Sequence, residues 1–124
     1  TLAKEKKLKS VEIWGTGKQK REFLNVDDLA SAVLFLLNKK INDDYLNIGS
    51  GEQISIKQLA MTIKKIIGYK GKVFFNKDYP DGVKKRMVDS KLINKLGWKA
   101  KIKLKTGLID YCSYYYNKVM QEER

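Results

Sequence analysis

Arginine is the most informative residue type in this sequence. The 124-residue chain carries 26 Lys and Arg, and only Arg21, Arg86 and the terminal Arg124 are arginines. Where lysine supplies the general surface charge, an interior guanidinium suits a planar, two-pronged task such as gripping a carboxylate or a diphosphate. The competing use is a structural ion pair, Arg21 with Asp28 or Asp81, and the residue types leave both open. Each interior arginine stands beside a turn. Arg21 lies in residues 11–28, VEIWGTGKQKREFLNVDD, which read as a strand, a glycine turn, a second strand and an acidic helix cap. Trp14, Arg21 and the Asp27-Asp28 pair are too varied in chemistry for core filler alone, so this stretch reads as a ligand-facing turn. Arg86 follows Tyr79-Pro80-Asp81-Gly82, a turn signature with a carboxylate at its tip.

The other candidates reduce to structural roles. Asp27 and Asp28 have the look of paired carboxylates, but they sit where a helix cap and its dipole favour acid. There is no His, which removes His-based acid–base chemistry and most zinc sites. The single cysteine, Cys112, forms no internal disulfide or cysteine cluster and reads as a small buried hydrophobe, with a reducing compartment, the cytoplasm, as the expected location. Tyr114 and Lys118 have i, i+4 spacing, which chance supplies in a chain rich in both. Gly15-Thr16-Gly17 and Gly49-Ser50-Gly51 fit neither GxGxxG nor the P-loop pattern. No catalytic, metal-ligating or cofactor-binding residue is therefore expected.

The formal net charge is +12. A basic chain invites a nucleic-acid reading, and a stand-alone basic nucleic-acid-binding module is the alternative from a different class. It is the weaker one, because the lysines are spread over nearly every segment and arginine, the usual base-edge and phosphate reader, is scarce. Attraction of an anionic small molecule fits the charge better. No apolar run has the length to cross a bilayer, so no membrane partner is expected. One Pro and 9 Gly in 124 residues suit one compact unit, 1–124. The opening TLAKEKKLKS reads as the tail of a helix and lacks an initiator Met, which suggests a fragment.

Several elements must position these residues. Residues 2–9 suggest a weak helix, 11–14 a strand and 22–26 a second strand. Asp27 is expected to cap a helix over 28–39 that buries Leu29, Val33, Leu36 and Leu37. Residues 45–48 read as a strand. Ser55 with Gln58 forms a capping box opening a helix over 56–67, and Gly68 is its left-handed stop. Residues 72–75 are a strand and 76–85 a loop. Asp89 is expected to cap a short helix ending at Gly97-Trp98, and Thr106 the last helix, which carries Leu108, Ile109, Cys112, Tyr115 and Tyr116. The order is mixed α/β with too few strands for a full parallel sheet.

With these residues in view, WGTGKQKREFLNVDDLASAVLFLL, LNIGSGEQISIKQLAMTIKKIIGYKGKVFFNKDYPDG and DSKLINKLGWKAKIKLKTGLIDYCSYYY resemble the C-terminal part of the GDP-L-fucose synthase family. These are extended short-chain dehydrogenases/reductases that epimerise and then reduce GDP-4-keto-6-deoxy-mannose with NADPH. The resemblance covers nearly the whole chain. It implies an α/β fold: a C-terminal substrate-binding region with a remnant of the Rossmann-domain edge and short strands packed with about four helices. It also implies that the NADP(H)-binding Rossmann domain and the catalytic residues lie in a missing N-terminal part, that the fragment alone is inactive, and that the full-length protein is a homodimer. Helix 28–39 and strand 45–48 are expected to pack on that missing domain. The substrate contacts implied are Trp14, Arg21 and Asp81, with Arg86 and, more weakly, Lys85 in the basic run after PDG. Arg21 and Arg86 would hold the diphosphate, Trp14 would supply an apolar wall, and Asp81 would accept from guanine or ribose. The sequence departs from the family pattern at Asn25, Tyr79 and Lys84, where His, Lys and Pro are common. The substrate region of another nucleotide-sugar epimerase or dehydratase is the alternative within the class.

Overall fold

The computed structural model describes residues 2–41 and 45–122, the last four of these by backbone alone. Nine elements follow in the order α1 (Leu2–Glu5), β1 (Ser10–Trp14), β2 (Lys20–Glu22), α2 (Val26–Leu37), β3 (Gln53–Ser55), α3 (Ile56–Ile66), β4 (Lys72–Asn76), α4 (Lys91–Lys95) and α5 (Leu104–Glu122). The class is mixed α/β, as expected, with five helices among the described residues.

Two short ribbons carry the site. β1 runs parallel to β4 with Trp14 opposite Asn76, and β2 runs antiparallel to β3 with Arg21 opposite Ile54. α3 joins the two ribbons, and its ends are written in the sequence. The Ser55 hydroxyl accepts from the Gln58 amide at 3.1 Å while the Gln58 side chain accepts from the Ser55 amide, also at 3.1 Å. At the other end Gly68 takes φ +67°, the left-handed turn that a Cβ disfavours.

Elsewhere the boundaries differ from the expectations, each for a local reason. The second strand is Lys20–Glu22, not 22–26, because it pairs with the residues that lead into the capping box. Asn25, not Asp27, is the N-cap of α2. Its side chain accepts from the Asp27 amide at 2.8 Å, so the helix opens before either aspartate. Asp28 is 4% exposed and accepts from the backbone N–H groups of Lys101 and Ile102. That grip fixes the entry to α5, which begins at Leu104 and leaves Thr106 inside the helix instead of capping it. Asp89, the expected cap of α4, lies one position before it: Ser90 occupies the cap, and the Asp89 carboxylate accepts from the Lys91 amide.

The core lies between α2 and α4. Ala32 and Ile93 are fully buried and Trp98 nearly so, with Phe35, Leu36, Leu46 and Ile48 packed around them. The Trp98 indole donates to the Ser31 hydroxyl at 3.0 Å. Of the four α2 residues expected to be buried, only Leu36 joins this core. Leu29, Val33 and Leu37 face outward, with Leu37 74% exposed. Residues 45–48 have no strand partner among the described residues: Leu46 and Ile48 lean on the core and Tyr45 is exposed.

Candidate functional site

Two glycines shape the turn after β1. Gly15 and Gly17 take φ +84° and +71°, and a Cβ at Gly15 would run into the Asp81 carboxylate, at Gly17 into the Phe75 ring. Thr16, between them, donates from both its backbone N–H and its hydroxyl to the two oxygens of Asp81. The turn is thus fastened to a loop 65 residues away in sequence. The Thr16 hydroxyl, and then its amide, hold the Asp81 carboxyl below its ordinary value, because both bonds favour the charged form. One residue back, Trp14 stacks on Tyr79 with ring centroids 4.3 Å apart and planes within 8°. Trp14 remains 64% exposed, as expected of a side chain on the open face of a two-stranded ribbon.

The same loop continues directly into a basic cleft. Lys20 pairs with it through two backbone bonds: its amide donates to the Lys84 carbonyl at 3.0 Å, and its carbonyl accepts from the Arg86 amide at 3.3 Å. The Arg21 guanidinium donates to the Val83 carbonyl at 2.8 Å and the Lys20 carbonyl at 2.7 Å. Arg21, Lys85 and Arg86 then line a cleft of 570 Å³ with Glu22, Leu24 and Ile48 among its walls. Three cations face one carboxylate, so the cleft keeps a positive balance. The Glu22 oxygens accept from the amides of Gly51 at 2.7 Å and Val88 at 3.0 Å. Those bonds pin both rims of the cleft and satisfy the carboxylate locally.

Of the five residues singled out from sequence, Arg21, Lys85 and Arg86 come together in this cleft. Trp14 and Asp81 stand beside it, in the fastened turn, and are not among its lining residues. The ion pair of Arg21 with Asp28 or Asp81 does not form, since Asp28 is engaged by backbone amides and Asp81 by Thr16. Glu22 was missed, and so was the role of Thr16. The available signal was the placement of Thr16 between two glycines, which marks a backbone that must approach something closely. Tyr114 is exposed on α5 and Cys112 is half-buried there. Among the described residues no group of His, Cys, Asp or Glu could hold a metal ion. No described helix is long and apolar enough to cross a membrane.

The model of the NAD dependent epimerase/dehydratase family matches residues 1–49. The chain is 39% identical over 122 residues to a probable GDP-L-fucose synthase 1 of Oryza sativa subsp. japonica, covering 98% of this chain and 37% of that protein. Among solved structures it is similar to a GDP-6-OMe-4-keto-L-xylo-heptose reductase from C. jejuni, at 40% identity and a TM-score of 0.81, over 89% of this chain and 34% of that one. It is also similar to a GDP-mannoheptose C4 reductase from Campylobacter jejuni with NADP bound, at 38% identity and a TM-score of 0.73, over 87% of this chain and 32% of that one. The chain spans about a third of the length of these relatives.

Proposed function

This chain is a homologue of GDP-L-fucose synthases, extended short-chain dehydrogenases/reductases, and on that premise we propose that it is the substrate-binding C-terminal part of such an NADPH-dependent epimerase/reductase acting on GDP-4-keto-6-deoxy-mannose. One observation carries the reading: Arg21, Lys85 and Arg86, from segments more than sixty positions apart, line one cleft. Two guanidiniums and an ammonium over a concave surface suit a diphosphate, and guanidiniums grip phosphate oxygens in pairs. Trp14 supplies a flat apolar wall at the neighbouring ribbon. Asp81 is first the fastener of the turn, and each of its oxygens keeps lone-pair capacity for a guanine N–H or a ribose hydroxyl.

NADP(H) and the catalytic groups belong, in this proposal, to an N-terminal Rossmann domain. The outward apolar face of α2 is the surface that domain covers. The full-length protein acts in the cytoplasm as a homodimer, and residues 1–124 alone catalyse nothing.

The test is a calorimetric titration of GDP, UDP and dTDP into the full-length protein, with Arg21→Ala alongside. Removing one charge-assisted contact should weaken GDP binding by about 1.5–3 kcal/mol. Unchanged GDP affinity in Arg21→Ala overturns the diphosphate role. Preference for UDP or dTDP over GDP moves the chain to another nucleotide-sugar enzyme.

A further inference from the structure

Two of the three cations of the cleft, Lys85 and Arg86, sit on a loop that is held down at its far end, and the third, Arg21 of β2, is bonded to it. From Tyr79 the chain runs through Pro80, the fastened Asp81 and Gly82 to Val83, whose carbonyl receives Arg21, and then to Lys85 and Arg86. Nothing in this run is held by helix or by a full strand. Its position rests on backbone bonds to Lys20, on Thr16, and on the Tyr79 ring lying flat against Trp14. The Arg21 guanidinium itself depends on where the Val83 carbonyl stands, so a loop that lifts carries away one of its two bonds. Trp14 belongs to a paired strand, opposite Asn76, and is the fixed partner of the stack.

We propose that Tyr79 is a positioning residue of the basic cleft: stacked on Trp14, it holds residues 79–86 against β1 and β2 so that Arg21, Lys85 and Arg86 meet one anionic ligand already assembled. The proposal rests on the diphosphate reading for its ligand, and on geometry alone for the loop. Pre-assembly matters because cations that must first be gathered spend part of their attraction on ordering the loop. A parallel ring at 4.3 Å also leaves no room for a ligand ring between Trp14 and Tyr79. Any ligand therefore meets the indole on its remaining face or edge, and Tyr79 acts without touching it.

The experiment has two arms, both on the full-length protein with Tyr79→Ala and Tyr79→Phe. The first arm is amide hydrogen exchange at Lys20 and Arg86, with the Lys101 and Ile102 amides, held by Asp28, as internal controls. Tyr79→Ala should speed exchange at Lys20 and Arg86 by about three- to tenfold, the range an aromatic pair supports. The controls should stay unchanged, and Tyr79→Phe, which keeps the stack, should restore the slow rates. Unchanged exchange in Tyr79→Ala, or equal loss in Tyr79→Phe, overturns the proposal. The second arm is GDP affinity, expected to fall by a similar factor in Tyr79→Ala and to recover in Tyr79→Phe. Faster exchange with undiminished GDP affinity also overturns the positioning role. If the unmutated protein does not bind GDP, the proposed function falls while the loop fastening stands on its exchange result. If Tyr79→Ala unfolds the controls as well, Tyr79→Leu, which keeps bulk without a ring or a charge, is judged by the same criteria.

Discussion

The turn-and-cleft side of the molecule and the α2 side are built on opposite terms. On the first, residues distant in sequence close on one another through polar bonds and a ring stack: Thr16 with Asp81, Arg21 with Val83, Trp14 with Tyr79. On the second, the buried apolar centre among the described residues is Ala32, Ile93 and Trp98, while Val26, Leu34 and Leu37 are 72%, 65% and 74% exposed. The polar closure is made between residues of this chain, whereas the apolar face of α2 is left open among the described residues. Polar closure needs only matching donors and acceptors, whereas an apolar face needs area to cover it.

The sharpest way to break the comparison is to remove the little core the α2 side has. Trp98 fills it and spans α2 to the chain after α4, so Trp98→Ala should cost about 3–5 kcal/mol, read from chemical denaturation. Trp98→Phe keeps most of the volume and loses the bond to Ser31, which should cost about 1 kcal/mol. A small loss in Trp98→Ala would mean that the polar side alone holds the fold.

On the other side the corresponding break is Gly15→Ala. A left-handed backbone costs a non-glycine residue about 1–2 kcal/mol, and the new methyl would also meet Asp81. The expected outcome is a stability loss of that order together with altered Trp14 fluorescence as the Tyr79 loop shifts. A loss with Trp14 unaffected would separate the turn from the stack.

How much of this was legible in the sequence follows the same division. Local polar signals read well: Ser55 with Gln58 gave the start of α3, Gly68 its end, and the two arginines beside turns led to the cleft. Long-range polar partners did not, since nothing near Glu22 announces that it will bind the amides of Gly51 and Val88. The α2 face was legible as apolar, and it stands partly uncovered, as expected of a helix that packs on a further domain, although the periodicity alone assigned all four residues to burial. Leu29, Val33 and Leu37 have helical spacing, but periodicity says only that one face is apolar, not which neighbour covers it. Likewise Asn25 and Asp27 are both competent caps, and the choice between them fell to Asp28, whose burial under Lys101 and Ile102 sets the helix register.

Acid offers a finer probe of the fastened turn. The Asp81 carboxyl is held below its ordinary 3.8 by the Thr16 hydroxyl and amide. Its folded pKa therefore lies under the unfolded one. Its contribution is complete above about pH 4 and is lost as pH falls through the lower, folded value. Trp14 fluorescence, in a Trp98→Phe background, should change along that acid limb. Asp81→Asn, which cannot titrate, should flatten the limb; an identical limb would place the titration elsewhere.

The smallest effect is expected at Leu37, and it is the one that decides what the comparison means. At 74% exposure in these residues, Leu37→Gln should shift the stability of the 124-residue chain by no more than about 0.5 kcal/mol. In the full-length protein the proposed domain contact buries the same side chain, and the substitution should then cost about 1.5–3 kcal/mol. Lys40→Gln, exposed beyond the end of the helix, is the control that should stay small in both. Equal small effects at Leu37 would mean that α2 keeps an open apolar face in the longer protein too. A large effect only in the full-length chain would identify that face as half of an interface, and the incompleteness of the α2 side as a property of the boundary between domains rather than of the fold.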